Sequence, residues 1–203
     1  MNADQPMVYL VDDDASVLKA LTRILKTGGY AVKAFGSADD FLKNGLSHST
    51  GCVIVDLYMP GMNGLELQAS LAKAGAPLTV VFLTGHGDIP TSVQAMRKGA
   101  EDFLTKPVKR EKLLDTVRRA LERNAREHET HARNRELRTL YETLTPRERE
   151  VLARVVTGQL NKQIAADLNK CLRTIKIDRA NLMSTLRVRS AAELVRAAQV
   201  LGI

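Results

Sequence analysis

Cys52-Val53-Ile54-Val55-Asp56-Leu57-Tyr58-Met59-Pro60-Gly61 passes from four apolar residues through one carboxylate into a Pro/Gly loop. A short apolar run bounded by turn residues reads as a buried strand, and Asp56 is displayed where that strand ends. The same grammar occurs upstream, where Val8-Tyr9-Leu10-Val11 ends in Asp12-Asp13-Asp14. Two further apolar runs end at Thr84 and at Lys106-Pro107. Strands are predicted near 7–11, 31–35, 52–56, 79–84 and 102–105, with helices near 15–28, 38–45, 64–74, 90–98 and 110–121. The first and third strands are continuously apolar, as when helices cover both faces of a sheet. Gly28-Gly29 and Gly99 fit helix stops, and Ser37 with Asp40 fits a helix start with an acid in its first turn. Strands alternating with helices predict a small, doubly wound α/β parallel sheet. Ligands of such sheets bind at the carboxyl ends of the strands. Four strand ends therefore offer an acid cluster, a hydroxyl and a lysine to one spot.

The 203-residue chain is 44% apolar, enough for a substantial core, and no apolar run reaches the roughly 20 residues that span a membrane. The polar start, Met1 to Pro6, does not read as a signal peptide, and Cys52 and Cys171 stand in unlike contexts, which disfavours a disulfide. A cytoplasmic location is expected. Charge is uneven. Residues 1–120 carry 14 Lys/Arg and 13 Asp/Glu, net +1, while residues 121–203 carry 16 and 10, net +6. A near-neutral part joined to a basic part is expected of a regulatory or catalytic unit attached to a nucleic-acid reader.

Asp12, Asp13 and Asp56 would meet at adjacent strand ends. Carboxylates set close together repel unless a cation lies between them, and magnesium favours such hard oxygen ligands. One carboxylate could then attack a phosphoryl group. A lysine, Lys106, would hold the charge on the phosphoryl oxygens, and the Thr84 hydroxyl could donate to one of them. Asp14 reads as solvated or as the start of the first helix. The enzyme alternative is an aspartate-based phosphohydrolase with the phosphoenzyme on Asp12 in an Asp12-x-Asp14 pair. It would need a substrate-enclosing cap, for which this chain has no segment, and no DNA-binding tail. The chain is therefore read as no enzyme.

Residues 122–138 change character. Glu122-Arg123-Asn124-Ala125-Arg126-Glu127-His128-Glu129 is charged helix material without Pro or Gly. It is expected to carry the preceding helix into a solvated linker over 122–140. Beyond it, Thr145-Pro146-Arg147-Glu148 combines a Thr cap, Pro at the first position and Glu three residues after the cap. That helix should end before Gly158. Asn161 is expected to cap a short helix through Leu168, another helix should cover 172–185, and Ser190-Ala191-Ala192-Glu193 reads as a capping box opening a last helix to about Leu201. Four short helices with tight connections fit a helix-turn-helix module. On the 172–185 helix, Ile175, Leu182 and Leu186 share one side, while Arg173, Lys176, Ile177, Ala180 and Ser184 lie roughly opposite. A basic front made partly of small residues suits the major groove, with Lys176, Ile177 and Ala180 best placed for base edges.

Residues 7–120 resemble a response-regulator receiver domain. The resemblance rests on Asp12-Asp13, on Asp56 in Val-Asp-Leu-Tyr-Met-Pro-Gly-Met-Asn-Gly, on Thr84-Gly85-His86-Gly87-Asp88, and on Phe103-Leu104-Thr105-Lys106-Pro107. It implies a flavodoxin-like (βα)5 fold and phosphorylation of Asp56 by a cognate histidine kinase. It also implies Mg²⁺ on Asp13, Asp56 and the backbone carbonyl of Tyr58, with Asp12 assisting through water. Thr84 and Phe103 match the hydroxyl/aromatic switch pair, Lys106 matches the phosphoryl-binding lysine, and Lys106–Pro107 is expected to be cis. Tyr58 departs from the polar residue common at its position and is expected to alter hydrolysis of the acyl phosphate.

Leu144-Thr145-Pro146-Arg147-Glu148-Arg149-Glu150-Val151-Leu152, Gly158, Asn161-Lys162-Gln163-Ile164-Ala165 and Arg173-Thr174-Ile175-Lys176 resemble a LuxR-type helix-turn-helix, an all-α four-helix output domain. Together the two resemblances span nearly the whole chain and indicate a response regulator of the NarL/FixJ type, on its FixJ-like branch. They imply a receiver over 1–121, the linker over 122–140 and a DNA-binding domain over 141–203. They imply promoter DNA held by Asn161, Lys162, Arg173, Thr174, Lys176, Ile177, Arg179 and Ala180. A phosphorylation-dependent homodimer and contact with RNA polymerase are further implied partners, with no membrane partner. Two positions depart from the pattern. Cys171 replaces the usual Ser at the recognition-helix cap; a thiol at a helix N-terminus can have a lowered pKa, which would suit redox sensing, but an inert, buried cysteine is expected in preference. Asp178 replaces a frequent His and would repel phosphates unless the adjacent Arg179 neutralises it.

Overall fold

The computed structural model describes residues 6–44, 50–85, 93 and 95–203. The helix expected near 90–98 lies only partly within that set, with Val93 and residues 95–97 helical, and His86 through Pro90 lie outside it. The chain divides into two compact units, Met1–Glu129 and Thr130–Ile203.

The first unit runs β1 (Met7–Val11), α1 (Ala15–Thr27), β2 (Ala31–Phe35), α2 (Ala38–Asn44), β3 (Gly51–Asp56), α3 (Gly64–Lys73), β4 (Thr79–Thr84) and β5 (Asp102–Thr105), followed by the start of α4 (Arg110–Glu142). All neighbouring strands pair parallel, in the order β2-β1-β3-β4-β5. The predicted doubly wound sheet is therefore present. Alternate side chains of each strand enter opposite cores, as the two-residue strand period requires. On one face Tyr9, Val53, Val55 and Phe82 pack with Phe41 of α2 and with Leu67 and Leu71 of α3. On the other, Val8, Leu10, Ile54, Val81 and Leu83 pack with Leu21 and Leu25 of α1 and with Leu113 and Val117 of α4. Every residue of β3 and β4 is buried, which accounts for their apolar interiors, Cys52 to Val55 and Val80 to Leu83.

Chain order reverses direction across β1 and β3, so the crevice at the carboxyl ends of these strands is the place where a doubly wound sheet binds its ligand. Asp14 caps α1, its carboxylate accepting from the backbone N–H of Ser16 at 2.7 Å and of Val17 at 3.4 Å. Asp14 is thereby committed to the helix, while Asp12 and Asp13 stay in the loop above β1. Asn63 and Glu66 form a reciprocal capping box that starts α3. Gly64 follows Asn63, and a Cβ there would lie 2.5 Å from the Asp56 carbonyl oxygen. Only glycine lets α3 begin so close to the strand that ends in Asp56.

The second unit contains the last part of α4 and four further helices, α5 (Pro146–Val156), α6 (Asn161–Asp167), α7 (Leu172–Thr185) and α8 (Ala191–Leu201). Leu144, Val151, Leu152, Ile164, Ile175, Leu182, Leu186, Leu194 and Ala198 form its core. The Thr145/Glu148 capping box is made in full, with Glu148 N–H donating to Thr145 Oγ1 at 3.2 Å and Thr145 N–H to Glu148 Oε2 at 2.8 Å. The box expected at Ser190 is redirected. Ser190 Oγ accepts from Glu193 N–H, but Glu193 Oε2 accepts from the N–H of Arg189 rather than of Ser190. Asn161 is the first residue of α6, not its cap. Leu160 occupies the cap position, and its N–H donates to Gln163 Oε1 at 2.7 Å. Among the described residues no helix is long and apolar enough to cross a membrane.

Candidate functional site

The ends of β1 and β3 bring Asp12, Asp13 and Asp56 together, with one oxygen of each lying within 4.8 Å of the others. Asp12 and Asp56 are buried and Asp13 is exposed. Lys106, delivered by the loop after β5, reaches both buried acids. Its Nζ lies 2.6 Å from Asp12 Oδ2 and 2.7 Å from Asp56 Oδ2. Lys106 donates a hydrogen bond to Asp56 Oδ2 and forms a still closer ion pair with Asp12 Oδ2. Burial lifts the Asp12 carboxyl above its ordinary range against the opposing pull of Lys106 and of the Asp14 N–H. Burial also works against the Lys106 ammonium, but its two acid partners outweigh it and hold the ammonium above the ordinary lysine value. The second oxygen of Asp56, Oδ1, accepts from the backbone N–H of Tyr58 at 3.3 Å, and the Tyr58 ring is exposed beside it.

This donor set fits magnesium. The ion prefers hard oxygen ligands such as these carboxylates and keeps several waters, so not all three acids need bind it directly. Asp13, being exposed, leaves room for the waters that magnesium retains.

Thr84 ends β4, buried, and pairs across the sheet with Thr105; its carbonyl accepts from Lys106 N–H at 2.7 Å. Backbone connection through this bond ties the hydroxyl-bearing strand end to the lysine. Phe103 is half-buried with its ring 6.3 Å from that of Phe82. The Lys106–Pro107 bond is cis, as the resemblance implied.

In the second unit α7 has the two faces expected of it. Ile175 and Leu182 are fully buried, while Arg173, Lys176, Ile177, Ala180 and Ser184 are exposed. Lys162 is exposed on α6, and Thr174 is half-buried. Asn161 and Arg179 meet each other: Arg179 Nη1 donates to Asn161 Oδ1 at 2.9 Å.

Three readings of the sequence change. Cys171 is exposed, not buried. It stands at the cap of α7 without making a side-chain cap bond; its Sγ lies 2.9 Å from Thr174 Oγ1, and that contact, with the N–H groups of the first turn, pulls the thiol below its ordinary range. Asp178 is paired by Arg147 of α5, with Nε 2.8 Å from Oδ2, and not by its neighbour Arg179. Asn124, expected in the solvated linker, is buried in the first unit. Its Oδ1 accepts from Gly51 N–H at 2.7 Å and its Nδ2 donates to the carbonyl of Pro77. Asn124 continues the buried stripe of Leu113, Val117 and Ala120 at i+11, a helical spacing that could have marked it, but a polar residue among charged neighbours reads as solvated. Asp178 was legible in part: it lies three residues after Ile175 and four before Leu182, on the buried stripe.

Comparison with known proteins agrees with both halves of this description. Residues 8–118 match the response regulator receiver domain, and residues 142–198 match the luxR family of bacterial regulatory proteins. The chain is 42% identical over 197 residues to nodulation protein W of Bradyrhizobium diazoefficiens, covering 97% of this chain and 87% of that protein. It is 40% identical over 196 residues to the transcriptional regulatory protein FixJ of Azorhizobium caulinodans, covering 97% and 93%. Among solved structures, the response regulator StyR is similar with a TM-score of 0.78 at 40% identity, over 96% of this chain and 98% of that one. Full-length FixJ from B. japonicum is similar with a TM-score of 0.59 at 35% identity, over 97% of each chain.

Proposed function

Because the chain belongs to the response regulators that join a receiver to a LuxR-type helix-turn-helix, a family of transcription regulators rather than enzymes, we propose that it is switched by a phosphoryl group on Asp56. The observation that carries this reading is the Asp56 carboxylate itself, buried at a strand end, held by Lys106 on one oxygen and facing two further acids. Asp56 Oδ1 accepts from the Tyr58 N–H at 3.3 Å while Oδ2 is held by Lys106 at 2.7 Å, so Oδ1 is the oxygen better placed to attack. Asp13, Asp56 and the Tyr58 carbonyl hold Mg²⁺, with Asp12 acting through water. When bound, that ion supplies positive charge to neutralise the transferring oxygens. Lys106 neutralises a phosphoryl oxygen, and Thr84 donates its hydroxyl to another. Drawing Thr84 toward the phosphoryl group frees space for Phe103, whose ring carries no polar atom and enters an apolar site at little cost.

The phosphoryl donor is a histidine kinase, and the product is a change of surface rather than of substrate. The receiver extends past 121 to take in Asn124, and the DNA-binding part, within Thr130–Ile203, takes in Leu137 and Leu140 of the same helix, so the linker between them is shorter than 122–140. Lys176, Ile177 and Ala180 face base edges, while Lys162, Arg173 and Thr174 meet phosphates, with Asn161 and Arg179 at the flank of the same helix. The phosphorylated protein binds paired half-sites as a dimer in the cytoplasm and contacts RNA polymerase from there. A DNA-binding titration of the full chain with and without acetyl phosphate and Mg²⁺, coupled to intact-mass measurement, tests this. Tighter binding that tracks a single phosphoryl adduct is expected; an adduct with no change in binding, or neither, contradicts the reading.

A further inference from the structure

Asp178 sits on the helix that the proposed function assigns to DNA, yet it does not face outward. It shares a stripe with the buried Ile175 and Leu182, and its side chain is 15% exposed. Arg147, the second residue of α5, meets it at 2.8 Å. Asp178 Oδ2 and Arg147 Nε and Nη2 are all buried, and none of these atoms has an aligned hydrogen bond. The Arg147 side chain as a whole is 42% exposed, so water still reaches part of it, and the mutual attraction offsets the removal from water of the facing atoms, chiefly those of Asp178. Deleting one partner leaves the other's buried atoms without a charge to face and is more disruptive than deleting both. The next residue, Arg179, bonds Asn161 of α6 at 2.9 Å. Consecutive residues of α7 are thus tied to two different helices.

We propose that Asp178 is a positioning residue for DNA recognition: through Arg147 it fixes the seating of α7 on α5, and through that the aim of Lys176 and Ile177. This rests on α7 being the DNA-reading helix. The rival reading, an acid that merely repels phosphates, predicts the opposite sign, since removing a negative charge near DNA strengthens binding to every sequence. Misaimed base contacts instead lower sequence discrimination, because phosphate contacts position the protein and base contacts specify.

The test uses the full-length protein with acetyl phosphate and Mg²⁺, a duplex that the wild type selects from a random pool, and a scrambled duplex of equal length. Affinities are measured by fluorescence anisotropy across salt concentrations, with the active fraction determined for each variant. Asp178→Asn should weaken binding to the selected duplex by about tenfold, leave binding to the scrambled duplex within about twofold, and leave the salt slope unchanged. Arg147→Gln should do the same. The double variant Asp178→Asn, Arg147→Gln should lose less than the sum of the two, the signature of coupled residues. Tighter binding by Asp178→Asn to both duplexes overturns the proposal, as does an equal loss on both or strict additivity. If the wild type selects no sequence, or Lys176→Ala leaves selected-duplex binding intact, the DNA-reading assignment of α7 fails and this inference with it. If Lys176→Ala weakens binding and Asp178→Asn preserves discrimination, this inference alone fails.

Discussion

Asn124→Leu removes the buried amide that joins α4 to the ends of β3 and β4 opposite the acid cluster. Leucine keeps the branched shape of asparagine, though with bulkier methyl groups, but can neither accept from Gly51 N–H nor donate to the Pro77 carbonyl. Gly51 is the first residue of β3, paired in register with Met7 of β1, so its N–H is held where Asn124 meets it. Each buried backbone group left unpaired costs about 1–3 kcal/mol. Burying the more apolar side chain returns about 1 kcal/mol, for a net loss of about 1–5 kcal/mol over the two groups. With a urea dependence of about 2 kcal/mol per molar, the midpoint of the first unit should fall by about 0.5–2.5 M. Hydrogen-exchange mass spectrometry of the full chain in rising urea reads this directly, because peptides spanning 51–56 and 172–185 report the two units separately. The 51–56 transition should shift and the 172–185 transition should hold. A shift of the first below about 0.3 M, or an equal shift of both, refutes the clamp. Asn124→Asp adds a second check. It keeps the acceptor for Gly51 but sets a carboxylate against the Pro77 carbonyl, so its deficit should shrink below about pH 4, where the protonated acid donates.

Lys106→Gln should slow acetyl-phosphate labelling by about a hundredfold, since it deletes a charged donor at the transferring group; labelling within a few-fold of wild type would remove Lys106 from that role. Asp102 is buried enough to be pushed upward, but the Phe103 N–H, Lys112, Arg119 and Thr116 outweigh burial and hold its carboxyl below the ordinary range. A lowered acid contributes stability above its unfolded pKa and loses it as pH falls through the folded value. Asp102→Asn should therefore flatten the fall in the first unit's urea midpoint as pH drops below about 4, the ordinary aspartate value, and an unchanged slope would count against the network. Cys171, exposed and lowered, should be alkylated by iodoacetamide in the native protein, whereas Cys52, buried with its thiol pushed up to about 12, should react only on unfolding. Equal rates would contradict the two environments. Cys171→Ser should stabilise the second unit by about 0.5–1 kcal/mol by restoring a cap acceptor.

Much of this was legible in the residues because the signals are local. Apolar runs ending at Asp56, Asp12, Thr84 and Lys106 follow from the period and burial of parallel strands, and the Thr145 box is written in four consecutive residues. What escaped depends on partners distant in sequence. Asn124 finds Gly51 and Pro77 only once the sheet exists. Asp178 was assigned the neighbour beside it in sequence, but a helix turns adjacent residues about 100° apart, and Arg147 of another helix lies nearer. Asn161 was read as a cap because its chemistry suits one; Gln163 capped the backbone instead, and Asn161 was left to bond Arg179. Cys171 was placed inside on the habit of its residue type, while the helix cap that it occupies faces water.

The account turns on which carboxylate takes the phosphoryl group, and that is measured by trapping. Borohydride reduces an aspartyl phosphate to homoserine, and peptide sequencing by mass spectrometry locates it. After incubation with acetyl phosphate and Mg²⁺, homoserine should be found at position 56 and be absent from Asp56→Asn. Homoserine at position 12 or 13 of the wild type, or its persistence elsewhere in Asp56→Asn at the wild-type yield, would contradict the central claim.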